Sequence, residues 1–238
     1  MAQPAAQTQL RQHFVAFLDV LGFSEMVEAD VLGDTQENLS KLFRCHQSAA
    51  VVFRDDVNCQ IIQFSDSVVI SMPYDASRFE WFASRVGDYQ RLLLDERLLC
   101  RGGIAVNKHF SNGSFTFSAG LIQAYRVESH SARYPRVVVS PDVQELVYPD
   151  RTATPPFLLR EDDGLLFVDY LGLTRRRKPK LLERAVAEVV KTLAASKSPS
   201  VREKGLWLAH YSDAVLETNH AQPRFSGRNV RSTTVGAR

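Results

Sequence analysis

Cysteine is scarce in this chain of 238 residues: Cys45, Cys59 and Cys100 stand far apart, with no C-x-x-C pair among them. An odd, scattered set excludes a disulfide framework and a cysteine zinc site, and fits reduced thiols. The six histidines form no H-E-x-x-H pattern. No apolar run approaches the roughly 18 residues a membrane helix needs, and Met1 to Gln12 lacks the apolar core of a signal peptide. Charge of one sign is lacking too. With 29 basic and 27 acidic residues the net charge is only +2, which points to no membrane surface and no nucleic acid as partner. There is no P-loop G-x-x-x-x-G-K-[ST] and no assembled Ser-His-Asp pattern. What remains is an ordinary globular composition, and the expectation is a cytoplasmic enzyme or binding module.

The apolar run from His13 to Leu18 reads as a buried strand, because neither of its faces is polar. It ends at Asp19, and Leu21-Gly22-Phe23 turns the chain. From Asp34 to Phe53 the positions Leu39, Leu42, Phe43, His46, Ala50 and Phe53 recur at helical spacing, with Asp34 and Glu37 as a capping start. Val57 to Phe64 and Val68 to Met72 flank Ser65-Asp66-Ser67, a β-hairpin with Asp66 at its tip. A second helix follows Asp75 and carries Phe79, Phe82, Val86 and Leu93 on one face. Next come a strand from Leu98 to His109, a return strand ending at Phe117, a helix from Ser118 to Ser129 and a strand from Arg136 to Ser140. Ser140-Pro141 reads as a helix opening, and Phe157 to Tyr170 as a hairpin folded at Glu161 to Gly164.

This order, β-α-β-β-α-β, predicts an α+β fold: a ferredoxin-like, palm-type sheet over 14–170 with both helices on one face. Lys180 to Ser196, and a helix opened by the cap and proline of Ser198-Pro199, predict a C-terminal helical appendage over 171–219. The arginine-rich stretch 220–238 predicts a disordered tail. The basic run Arg175 to Lys180 has no interleaved aromatics and reads as a solvated linker.

Two aspartates carry the chemistry. In a β-α-β-β unit the first strand lies beside the hairpin, so Asp19 at the strand's end faces Asp66 at the tip. Carboxylates so placed can bridge a pair of Mg²⁺ or Mn²⁺ ions, hard cations that take carboxylate and phosphate oxygens. Paired metals suit a triphosphate, an attacking hydroxyl and a leaving group. The turn after Asp19 offers backbone N–H groups at a helix entrance, and Gly22 lets phosphate come close.

Four segments together resemble the class III nucleotidyl cyclases, and more closely the bacterial antiphage (Pycsar) pyrimidine cyclases. They are Phe17-Leu18-Asp19-Val20-Leu21-Gly22-Phe23, Phe64-Ser65-Asp66-Ser67, Arg101-Gly102-Gly103-Ile104 and Ala124-Tyr125-Arg126-Val127-Glu128-Ser129. The resemblance implies Asp19 and Asp66 as ligands of two divalent metal ions, with Val20 beside them. It implies triphosphate contacts at Phe17 and the backbone of Val20, Leu21, Gly22 and Phe23. Arg126 sits where the family places an arginine that stabilises transition-state charge. The implied site lies in a homodimer, with the aspartates of one subunit meeting Arg101 or Arg126 of the other.

Three departures bear on the base. The family's asparagine is Ile122 here, with Gln123 as its neighbour. The lysine and the acid that adenine-reading cyclases use fall on Ile62 and Ser118. A smaller base is therefore expected, with Arg101 reading a pyrimidine carbonyl. The expected reaction converts UTP, then CTP, to the 3′,5′-cyclic monophosphate and pyrophosphate, a messenger for a separate effector protein in antiphage defence. The alternatives are a non-catalytic nucleotide-binding module and an adenylate or guanylate cyclase.

Overall fold

The computed structural model describes residues 8–53, 58–150, 154–173 and 179–223; most of the basic run and residues 224–238 lie outside these. The fold is α+β. Its elements are β1 (Arg11–Val20), α1 (Phe23–Leu32), α2 (Glu37–Val52), β2 (Gln60–Phe64), β3 (Ser67–Pro73), α3 (Phe79–Asp95), β4 (Cys100–Ser111), β5 (Thr116–Ser118), α4 (Ala119–Ser131), β6 (Val137–Val139), α5 (Pro141–Val147), β7 (Leu158–Arg160), β8 (Leu166–Val168), α6 (Pro179–Ala194) and α7 (Pro199–Leu216).

The sheet runs β2-β3-β1-β4-β6-β8-β7, with β5 paired to β4. Its first four strands have the ferredoxin-like order, with β1 antiparallel to both β3 and β4. β6 then joins β4 in parallel. Strand alternation divides β1 between two cores. Phe14, Ala16, Leu18 and Val20 pack with Cys45 and Ala49 of α2 and with Phe79, Phe82 and Val86 of α3. Val15 and Phe17 face the other way, toward Val69, Ala105 and Ala124 of α4. The two helices expected on one face, α2 and α3, are there, and α4 covers the opposite face over β1 and β4.

Four local expectations are corrected. The buried stripe of α2 is Cys45 and Ala49, continued by Phe53, while Leu39 and Phe43 point outward. Asp34 does not cap α2. The Asp30 carboxylate of α1 does so instead, accepting the N–H groups of Asn38 at 3.2 Å and Leu39 at 2.7 Å. Ser198 gives α7 no side-chain cap, although Pro199 opens the helix as expected. In the stretch expected to be disordered, the N–H groups of His220 and Ala221 bond the Asp213 carboxylate at 2.7 and 2.9 Å.

α6 and α7 share an apolar cluster with Leu94 of α3, Leu99, Phe167 of β8 and Tyr170. Tyr211 of α7 donates its hydroxyl to Asp169 at 2.5 Å and accepts the N–H of Leu171 at 3.0 Å.

Candidate active site

Asp19 is the penultimate residue of β1, level with Ser67 on β3 and with Arg101 on β4. It lies on the same side of the strand as Val15 and Phe17, the α4 side. The β2–β3 hairpin closes through Ser65-Asp66 alone, since Phe64 pairs with Ser67. Ser65 adopts φ 54, the left-handed backbone that a two-residue hairpin loop demands. The Asp66 carbonyl accepts the N–H of Val20 at 2.9 Å, tying the loop to the end of β1. Both aspartates thus stand together at the end of β1. Burial holds the Asp19 carboxyl above the ordinary carboxylate range; Asp66 adds to this, and Arg101 opposes it.

Arg101 is the local counter-ion. Its Nε lies 3.1 Å from Asp19 Oδ2 and 2.7 Å from Glu128 Oε1. Glu128, on α4, is only 2% exposed, and burial raises its carboxyl as well. Gly103 makes the arrangement possible: a Cβ there would meet Val127 Cβ at 2.7 Å and Glu128 N at 2.9 Å. Without it α4 sits directly on the β4 backbone and lowers Glu128 onto Arg101. The expectation that Arg101 reaches Asp19 from a second subunit is corrected, because the two are register partners in one chain.

The backbone after Asp19 is partly committed. Val20 N–H bonds Asp66 and Leu21 N–H bonds the Leu99 carbonyl at 2.9 Å. Gly22, with φ 77, caps α1, and a Cβ at this glycine would meet no atom within 4 Å. Its torsion, and not its space, therefore calls for glycine. From Phe23 onward the first-turn N–H groups of α1 have no intrahelical acceptor, as at any helix start. The Phe17 ring lies within the second core, edge-on to Tyr125 at a centroid distance of 5.4 Å.

Arg126 is exposed on α4. Glu128 faces the sheet, and two residues along a helix turn about 200°, so Arg126 projects from the outer side with Ile122 and Tyr125. Within one chain the aspartates and Arg126 do not converge. Gln123 cannot stand in for the missing asparagine: its amide accepts from Asn107 Nδ2 at 3.0 Å and donates to Asp142. The Ser118 hydroxyl caps α4 by accepting the Leu121 N–H at 2.8 Å, and contacts His109 Nδ1 at 2.7 Å. Ile62 is half-buried on β2, beside Val69.

A divalent cation fits this donor set. Among the described residues no group of three or more His, Cys, Asp or Glu that could hold a metal ion is found, and what this corner offers is two hard carboxylates. Mg²⁺-type ions are held in just this way, by one or two carboxylates with waters and substrate phosphates completing the shell. Glu128 is the carboxylate beside Arg101 that motif reading passes over. Its signal is the spacing Gly120, Ala124, Glu128, a carboxylate in line on the buried stripe of a helix.

A groove of about 910 Å³ lies elsewhere, between the end of α4, the β7–β8 hairpin and α7. Arg136 is held there by Glu161 and Asp163. Trp207 fills its floor, stacked on Tyr134 at 5.7 Å and donating to Glu161 at 2.7 Å.

No protein-family model and no curated protein matches the chain. Among solved structures it is similar to the adenylyl cyclase CyaB from P. aeruginosa, at 15% identity and TM-score 0.48, over 68% of this chain and 96% of that one. It is similar to an adenylate/guanylate cyclase/hydrolase from Silicibacter pomeroyi, at 21% identity and TM-score 0.42, over 67% and 95%. A third is the guanylyl cyclase domain of a RhoGC fusion protein from Blastocladiella emersonii, at 13% identity and TM-score 0.46, over 66% and 96%. These scores all lie below 0.5, and the likeness extends to no assignment of function. Among the described residues no helix is long and apolar enough to cross a membrane.

Proposed function

We propose that the chain is a nucleotide cyclase of the class III type, acting on a pyrimidine nucleoside triphosphate. The observation that carries this reading is the placement of Asp19 and Asp66 together at the end of β1, beside the N-terminus of α1. Two divalent metal ions, when bound there, supply activation of the ribose 3′-hydroxyl and neutralise charge on the phosphates. Asp19 and Asp66 hold that site, and the first turn of α1 receives phosphate oxygens. The 3′-hydroxyl gives up its proton to solvent and its oxygen bonds to the α-phosphorus in line, as the bond from that phosphorus to the bridging oxygen breaks and pyrophosphate departs. Arg126 comes from a second subunit, because it points away from the aspartates of its own chain. The exposed apolar residues Ile122, Tyr125 and Phe117 on and beside the outer side of α4 support a homodimer.

Base preference follows from what is absent. Ile62 offers no polar group, and the Ser118 hydroxyl is committed to capping α4. A purine edge would face groups that cannot pair with it, at about 1–3 kcal/mol for each unsatisfied group. Arg101, whose Nε faces Asp19 and Glu128, offers only donors, which suits O2 and O4 of uracil better than cytosine with its amino group, so UTP ranks before CTP. The resemblance to antiphage cyclases adds a messenger role, with the product read by a separate effector protein.

Pyrophosphate release from purified protein with Mn²⁺ and each of the four triphosphates tests this. UTP turnover is expected, and it is abolished by Asp19→Ala and by Asp66→Ala with the melting temperature kept. Turnover of ATP or GTP alone overturns the base assignment. A variant that keeps near-full activity overturns the metal assignment. One observation favours a second reading: a guanidinium already neutralises Asp19. A nucleotide-binding module without turnover would show binding of a triphosphate and no release with any of the four.

A further inference from the structure

We propose that Glu128 is a positioning residue that lets Asp19 pass from Arg101 to a divalent cation. The inference rests on the two-aspartate reading above and assigns a role to a side chain outside the ligand set. One guanidinium nitrogen, Arg101 Nε, stands between two carboxylates: it donates its N–H to Asp19 at 3.1 Å and lies 2.7 Å from Glu128 Oε1, a buried oxygen that accepts no hydrogen bond. A cation that takes Asp19 must displace Arg101 from it. If Asp19 were the only anion within reach, the displaced guanidinium would sit half-buried with no counter-charge, and would compete with the cation for the same oxygens. Glu128 removes that conflict. It is buried, it is set by the contact of α4 with Gly103, and it reaches the same nitrogen at 2.7 Å. Arg101 then swings onto Glu128 and remains beside the site. Asp19 gains its cation without leaving an unpaired charge behind.

The test is Mn²⁺ uptake by nucleotide-free protein, followed through the electron paramagnetic resonance signal of free Mn²⁺. Glu128→Gln gives Arg101 wholly to Asp19, and is expected to weaken Mn²⁺ binding about 10-fold, the scale of lost outer-shell support at metal sites. Arg101→Met removes the competitor, and is expected to tighten binding. In that background Glu128→Gln is expected to change affinity far less than it does alone. A role confined to stability would lower the melting temperature without this dependence on Arg101. Unchanged Mn²⁺ affinity in Glu128→Gln, or a Glu128→Gln effect of full size in the Arg101→Met background, overturns the inference alone. Should Glu128→Gln not fold, the comparison within the Arg101→Met background still decides, since about 10-fold weakening there overturns it. A native chain that takes up no Mn²⁺ overturns the two-aspartate reading itself, and this inference with it.

Discussion

Burial pushes the His109 imidazole down to about 4, and the neighbouring His13, with ring centroids 5.0 Å apart, adds to the effect. A ring kept neutral can take the hydrogen of the Ser118 hydroxyl on Nδ1, while that hydroxyl accepts the Leu121 N–H. The cap of α4 is therefore coupled to a histidine that resists protonation. The sign follows from linkage. An unfolded histidine titrates near 6.5, so the unfolded chain binds the extra proton first, and the stability this residue contributes is present above pH 6.5 and lost as pH falls toward 4. His109→Asn, which keeps an acceptor for Ser118, removes the titration. Between pH 7.5 and 5 the native chain is expected to lose more melting temperature than the variant. Equal losses would show that His109 does not titrate with unfolding.

Two glycines separate the demands made on elements. At Gly103 the demand is space, because α4 rests on the strand backbone. Gly103→Ala is expected to cost about 1–3 kcal/mol by overpacking, and to loosen the Arg101–Glu128 pair; thermal unfolding measures the first. At Gly22 the demand is torsion, so Gly22→Asn should be borne far better than Gly22→Val. Elements whose signal is local were legible in the sequence. The all-apolar β1, the hairpin around Asp66, the stripe of α3 and the Ser140-Pro141 start of α5 each announce themselves within a few residues. α1 was not legible beyond its entrance after Gly22, because it buries none of its residues and so carries no core stripe. The cap of α2 was misplaced because its carboxylate comes from Asp30, on another helix. The two aspartates were legible from element order, since β1 must lie beside the hairpin. The tie from Arg101 to Glu128 was not, because a helical pattern does not say which neighbour its buried carboxylate meets.

At the scale of the whole molecule the candidate site is divided. Asp19 and Asp66 lie on the strand and loop side, Arg126 on the outer side of α4, and a second copy of the chain is proposed to bring them together. Complementation tests this. Asp19→Ala and Arg126→Ala are each expected to be inactive. When the two are mixed and allowed to exchange subunits, half of the dimers formed at random are heterodimers with one intact site of two, so about a quarter of native activity should return. No recovery on proven exchange would place Arg126 outside the reaction. At the far edge of the sheet Trp207 stacks on Tyr134 and donates to Glu161, while Trp81 of α3, the chain's other tryptophan, lies under the guanidinium groups of Arg78, just before that helix, and Arg85. The protein thus carries two native fluorophores in unlike surroundings, one fixed to the C-terminal helices and one to the helical layer of the central sheet. Emission from a single-tryptophan variant of each kind reports separately on the release of α7 and on the melting of the domain that holds the aspartates.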